Sequence, residues 1–166
     1  PLRERANMLV LVLVVLVGVG ASAMLFEVGP LLAQLVREQR RTRVILENSS
    51  DAFVSIGIDG RITDWNTQAE HTFGWSAAEA LGRDMADLII PPALRGAHNE
   101  GFARFATSGE GAVINTRLEV MALRRDGTEI PVELSVAAFH NGRGYVANAF
   151  MRDITERRRL SQEIAA

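Results

Sequence analysis

The sequence contains no cysteine. That excludes a disulfide framework, a thiolate metal site and a cysteine nucleophile in one step. An excess of one charge is missing too. The formal net charge is −2 over 166 residues, and a chain so balanced is not built as a general nucleic-acid binder. There is no glycine-rich phosphate loop and no nucleotide-binding or kinase motif. His71 and His140 have no partner at metal-ligand spacing. Asp84, Asp87, Glu129 and Glu133 show no paired-carboxylate arrangement suited to acid/base chemistry. No residue is therefore assigned a catalytic role.

One stretch lacks charge altogether. Met8 to Phe26 (MLVLVLVVLVGVGASAMLF) is apolar throughout, and as a helix it would span roughly 28 Å, close to the hydrocarbon thickness of a bilayer. Arg3 and Arg5 precede it, while Arg37, Arg40, Arg41 and Arg43 follow. The positive-inside rule then puts everything after the run in the cytoplasm. The expectation is a single visible span in the inner (cytoplasmic) membrane, with membrane lipid as the partner of residues 8–26. Ala21-Ser22-Ala23 after a basic start is the competing signature of a cleaved signal peptide; the apolar continuation through Met24, Leu25 and Phe26 favours an anchor. Gly18 and Ser22 form a small-xxx-small pair suited to helix pairing. The chain opens on Pro1 rather than Met, which reads as a fragment or a processed chain with further parts expected upstream.

After the run, Leu32, Leu35, Gln39, Thr42 and Ile45 fall at alternating three- and four-residue spacings, the pattern of a short coiled-coil seam weakened by its polar members. A linker helix over residues 31–48 follows. It either dimerises or packs on its own domain, and both readings stay open.

From residue 49 onward the pattern shortens and alternates. Ala52 to Ile58 reads as a strand, Asp59-Gly60 as a hairpin turn and Arg61 to Trp65 as the partner strand. Asp64-Trp65-Asn66 reads as a strand end and helix cap, opening a helix with Ala69 and Phe73 inside and Gly74 near its end. Ser76 and Glu79 have capping-box spacing, and that helix stops at Gly82. Pro91-Pro92 breaks the next segment. Ala93 to Thr107 is helical, with Leu94, His98, Phe102 and Phe105 on one face. Ile114 to Leu123 reads as a strand. Arg125-Asp126-Gly127 is a tight turn; after it Ile130, Val132, Leu134 and Val136 alternate with polar or small residues at period 2. His140 to Gly144 is a second turn and Tyr145 to Met151 a last strand. Asp153 and Glu156 then have the spacing of another capping box, Asp153 accepting from the Glu156 amide while Glu156 reaches back. The expected class is α+β: a five-stranded antiparallel sheet with short helices on one face, preceded by the N-terminal transmembrane and linker helix. The expected division is 1–30 anchor, 31–48 linker, 49–153 folded domain and 154–166 the start of an outgoing helix.

The ordered set of an RRDG turn at Arg124 to Gly127, a strand, a glycine-containing turn, a strand and Asp153-Ile154-Thr155-Glu156-Arg157 resembles the C-terminal half of a PAS sensor domain. The likeness extends over roughly residues 44–157. It implies a small-molecule cavity between sheet and helices, and a role in sensing or relaying rather than catalysis. It also implies that Asp153, Ile154, Thr155 and Glu156 carry the signal into a helix that continues into a missing output module. That module is most often a histidine kinase of a two-component system and next a diguanylate cyclase. The partners implied are a second copy, through residues 31–48 and 154–166, and the downstream module, with no nucleic acid. A ligand-free dimerisation module is the alternative from another class.

Arg95-Gly96-Ala97-His98 followed by Arg104 is similar to the segment of oxygen-sensing haem PAS domains in which this His ligates iron and this Arg meets a propionate. The resemblance implies a haem b pocket with His98 as the metal ligand, Arg104 beside it and Leu118 in the distal slot. Leu118 supplies no hydrogen-bond donor for a bound gas, and Thr116 stands where related sensors use a Met ligand. His98 as a structural or surface residue is the competing reading. Gly82-Arg83-Asp84-Met85 loosely resembles the light-sensing subfamily, but Met85 occupies the Cys position, so flavin–cysteinyl photochemistry is excluded.

Overall fold

The protein is described here by a computed structural model covering residues 2–165. It forms two units, Pro1–Val44 and Ile45–Ala166. The first unit is helical: α1 spans Leu2–Glu47 without interruption and carries Pro30 inside it. The anchor and linker expected as separate segments thus lie on one helix. The Met8–Phe26 run falls largely on side chains outside the described residues. Among the described residues, no helix is long and apolar enough to cross a membrane. Of the expected seam, Leu32, Leu35 and Ile45 are exposed, and the Thr42 side chain lies outside the described residues.

The second unit is built on a five-stranded sheet in the order β2-β1-β5-β4-β3. The strands are β1 (Ala52–Ile56), β2 (Ile62–Trp65), β3 (Arg117–Leu123), β4 (Glu129–His140) and β5 (Tyr145–Asp153), and every neighbouring pair is antiparallel. Period-2 alternation decides which side each residue takes. Ile130, Val132 and Val136 of β4, Ala147 and Met151 of β5, and Ala52, Val54 and Ile56 of β1 join one core. Their alternates Glu133, Arg152, Asn148 and Ser55 share the opposite, outer face.

The helices α2 (Thr67–Phe73), α3 (Ala77–Ala80), α4 (Met85–Ile89) and α5 (Arg95–Ser108) connect β2 to β3. They close the inner face with Phe73, Leu88, Ile89 and Phe105. Each fully buried side chain of this size contributes roughly 1.5–3 kcal/mol of hydrophobic stabilisation. The helices are short, so their ends must be satisfied locally. Asn66 caps α2, Glu79 reaches back to the Ser76 amide and hydroxyl at 3.1 and 2.8 Å, and Asp84 accepts from Ala86 N at 2.8 Å. Gly74 ends α2 at φ 80°, a left-handed conformation that strains any residue with a Cβ.

Several element boundaries differ from the sequence expectation, three of them for a visible reason. β1 stops at Ile56 because Gly57 N turns back to Arg61 O at 2.9 Å. β3 starts at Arg117 rather than Ile114, since Asn115 adopts φ 55° and leaves Ile114 in an isolated parallel bridge to Val136. The helix expected from Ala93 begins as a 3₁₀ turn over Pro92–Leu94 and becomes α-helical at Arg95. Leu94, placed on the apolar face, is 45% exposed. Only Phe105 of that face is buried, so the face turns toward the core at its C-terminal end.

Candidate functional site

The chemistry-bearing groups of this domain gather where β5 ends and α6 (Thr155–Ala165) begins. Asp153 is the centre. Its Oδ2 accepts from Arg124 Nη2 at 2.7 Å, and its Oδ1 accepts from Thr155 N at 2.8 Å and Thr155 Oγ1 at 2.6 Å. One carboxylate thus ties the β3–β4 turn to the first residue of α6. Ile154 is 1% exposed and donates its N–H to Pro131 O at 3.0 Å, while its carbonyl takes the first helical bond from Arg158 N at 2.9 Å. The backbone changes from strand to helix in one buried step.

The capping box expected here does not form. Asp153 caps through Thr155, two residues on, rather than through the Glu156 amide. Glu156 turns outward to Arg159, with contacts at 2.8 and 3.2 Å. That ion pair, and chiefly its hydrogen bonds, holds the Glu156 carboxyl below its usual range. The physical reason is reach: with Ile154 buried and bonded to β4, the nearest free amide to Asp153 belongs to Thr155. The other three expected relay residues do meet at this corner.

The RRDG turn is a working part of it. Arg125 reaches Glu79 at 3.0 Å and lies 4.8 Å from the Trp75 ring centroid, with Arg83 at 5.1 Å. Such cation–π contacts fix the turn against α3. Asp126 accepts from Thr128 N and Oγ1 at 2.9 and 2.6 Å, and those bonds lower its pKa. Arg124, held by this turn, is thereby presented to Asp153.

On the β2 edge of the sheet Asn66, 3% exposed, uses its whole amide. Oδ1 accepts from Phe53 N at 2.9 Å and Ala69 N at 2.8 Å; Nδ2 donates to Leu46 O at 2.8 Å and Asp51 O at 3.1 Å. It joins the last turn of α1, the strand β1 and the start of α2.

His98 is half-buried on α5, stacked on Phe102 at 6.4 Å between centroids, with Nδ1 3.3 Å from Asn99 Oδ1. Arg104 is exposed on the same helix and Leu118 half-buried on β3. The concavities of this domain include two of note. One of about 610 Å³ is lined by residues 71–74 and 124–126; the other, about 240 Å³, lies over Asp51, Arg117, Glu133, Ser135, Phe150 and Arg152. Neither includes His98, Arg104 or Leu118. The His98 imidazole lies against Asn99 and Phe102 on its own helix. Among the described residues no group of three or more His, Asp or Glu could hold a metal ion.

The family model for the PAS fold matches residues 40–154. The chain belongs to the PAS family. Among its curated relatives, an uncharacterized protein of Azorhizobium caulinodans is 37% identical over 123 residues, covering 74% of this chain. The sensor protein FixL of Bradyrhizobium diazoefficiens is 34% identical over 69% of the chain, and the cell-division control histidine kinase PdhS of Brucella ovis 30% identical over 74%. The chain spans only 17%, 22% and 12% of the lengths of these three proteins. Solved PAS domains share the fold. One from an HTR-like protein of Haloarcula marismortui has a TM-score of 0.57 at 23% identity, covering 76% of this chain and 99% of its own. The BvgS PAS domain of Bordetella pertussis has 0.58 at 19%, covering 78% and 95%. This PAS domain is thus a regulatory sensory domain related to sensor proteins and histidine kinases.

Proposed function

We propose that this PAS domain is the relay segment of a membrane-anchored receptor of the two-component type, and that it passes a conformational signal to a histidine-kinase-type module following α6. The observation that carries the reading is the Asp153 carboxylate, shared at 2.6–2.8 Å between Arg124 of the β3–β4 turn and Thr155 of α6. A change in the sheet that moves Arg124 changes what Asp153 offers the helix. The likeness to a histidine kinase and a sensor protein supports the choice of output. The apolar run at residues 8–26 supports the anchor, with the domain on the cytoplasmic side and a homodimer formed through residues 31–48 and 154–166.

The mechanism is a population shift. Ligand binding, or a rearrangement of the helix entering the domain, favours one geometry of the sheet and so one setting of α6. The relay runs through protein groups alone and requires no haem. Asp153→Ala in the intact receptor removes both the tie to Arg124 and the cap on α6, at a cost of about 1 kcal/mol to the helix start. The expected outcome is autophosphorylation that no longer follows the stimulus. Normal stimulus dependence in that variant would overturn the assignment.

A further inference from the structure

The outer face of the sheet carries a continuous run of opposite charges that ends on α6. Asp51, between α1 and β1, receives Arg152 Nε at 2.8 Å and Nη2 at 3.2 Å. Arg152 is the cross-strand partner of Glu133. Glu133 receives Arg157 Nη1 at 3.3 Å and Arg117 Nη1 at 3.6 Å. Arg157 Nη2 goes on to Glu119 Oε1 at 2.7 Å, and Glu119 Oε2 takes both Nε and Nη2 of Arg158. Glu119 and Glu133 are themselves cross-strand partners on β3 and β4. The sequence pattern turns all these strand residues outward, and the first turn of α6 lies where it can collect them.

A lone exposed ion pair stabilises little, because solvent screens it and two long side chains must be ordered. Here the ordering is shared. Glu119 holds two arginines at once, one of them in a two-nitrogen fork, and the Glu133 side chain is only 17% exposed among three arginines. We infer that this ionic ladder is a second latch on α6, holding the first turn of the helix against the sheet and coupling it to the chain segment at Asp51. The inference deepens the relay reading and rests on it for its consequence: Asp153 fixes where α6 begins, and the ladder fixes how firmly it lies on β3 and β4. Signals that alter the entry to β1 then reach α6 by a route separate from Arg124.

Amide hydrogen exchange on the full 166-residue chain tests it. Glu119→Gln keeps size and removes charge; the amides from Arg158 to Ser161 are expected to exchange about two- to five-fold faster, while those of β4 and β5 hold. Asp51→Asn, at the far end, is expected to act on the same amides in the same direction but less. Exchanging the charges, Glu119→Arg with Arg158→Glu, is expected to restore much of the protection. Unchanged α6 exchange in Glu119→Gln, or an Asp51→Asn effect confined to β1 and β5, overturns the inference. The readout needs no receptor output. A receptor indifferent to Asp153→Ala therefore leaves the latch standing, and a silent Glu119→Gln leaves the Asp153 corner standing.

Discussion

A single amide shows how much one side chain can organise. Asn66 was legible as a helix cap from its place after Trp65, because an Asn before a helix offers Oδ1 to the first free amides. What sequence could not show was the other half of the group. Nδ2 reaches Leu46 O, 20 positions away, and Asp51 O, 15 away, and no local pattern encodes a contact that depends on how the chain returns. With all four hydrogen-bonding positions used and 3% exposure, Asn66→Ala removes the partner of two buried amides and two half-buried carbonyls. The expected loss is about 2–4 kcal/mol of unfolding free energy, read from the urea midpoint. Asn66→Asp keeps the acceptor for Phe53 and Ala69 and is expected to fall between the two. Equal stability of Asn66→Ala and the parent would mean that the buried groups find other partners.

At the scale of elements, the strands were the most legible part. Ile130, Val132, Leu134 and Val136 announce one buried face by alternation alone, and the pairing places them against Ala122, Val120, Leu118 and Ala149 as that face requires. α6 was the least legible. A run of like charge such as Arg157, Arg158 and Arg159 ordinarily faces solvent, yet the first two grip Glu119 and Glu133 across 24 to 39 positions. Arg124 was visible only as a turn residue, though its role is to meet Asp153. The ladder also carries a pH dependence. The hydrogen bonds from Arg158 hold the Glu119 carboxyl below its usual range; burial, the next-largest influence, pushes the other way, and the charges of Arg158 and Arg157 add to the lowering. Glu133, Arg117, Arg152 and Asp51 are the other charged groups of the ladder. A carboxyl whose pKa is lowered by folding stabilises the docked helix above its unfolded value and loses that effect as pH falls through the folded one. Acidification from pH 7 to below the ordinary carboxylate range is thus expected to lower the protection of the α6 amides, taken relative to their intrinsic exchange rates at each pH, before the β4–β5 core opens. The same exchange experiment in Glu119→Gln should show a flatter response; an identical acid response in both proteins would show that Glu119 is not the group titrating.

For the whole molecule, the sheet and its helices account for residues 45–165, whereas the purpose of the long first helix depends on its surroundings. Its apolar run has no polar face to turn toward solvent over residues 8–26, and a helix of that character is stable only where its backbone and side chains are both removed from water. Burial in a globular core would call for a partner surface as long as the run itself, whereas a bilayer supplies one of the right thickness without further protein. The arginines after the run then have a reason to outnumber those before it, since they would remain on the side where the PAS domain folds. The anchor reading therefore predicts that placing charge at mid-run defeats it. Val12→Arg with Leu16→Arg puts two guanidinium groups near the centre of the span, at roughly 2.5–3.5 kcal/mol each on insertion scales. The parent chain is expected to float with membranes in a sucrose gradient and resist extraction at high salt. The double variant is expected to move to the soluble fraction with its PAS domain folded, as judged by an unchanged urea midpoint. A parent chain that sediments free of lipid would remove the anchor, and a double variant that still floats would show that something other than this run holds it there.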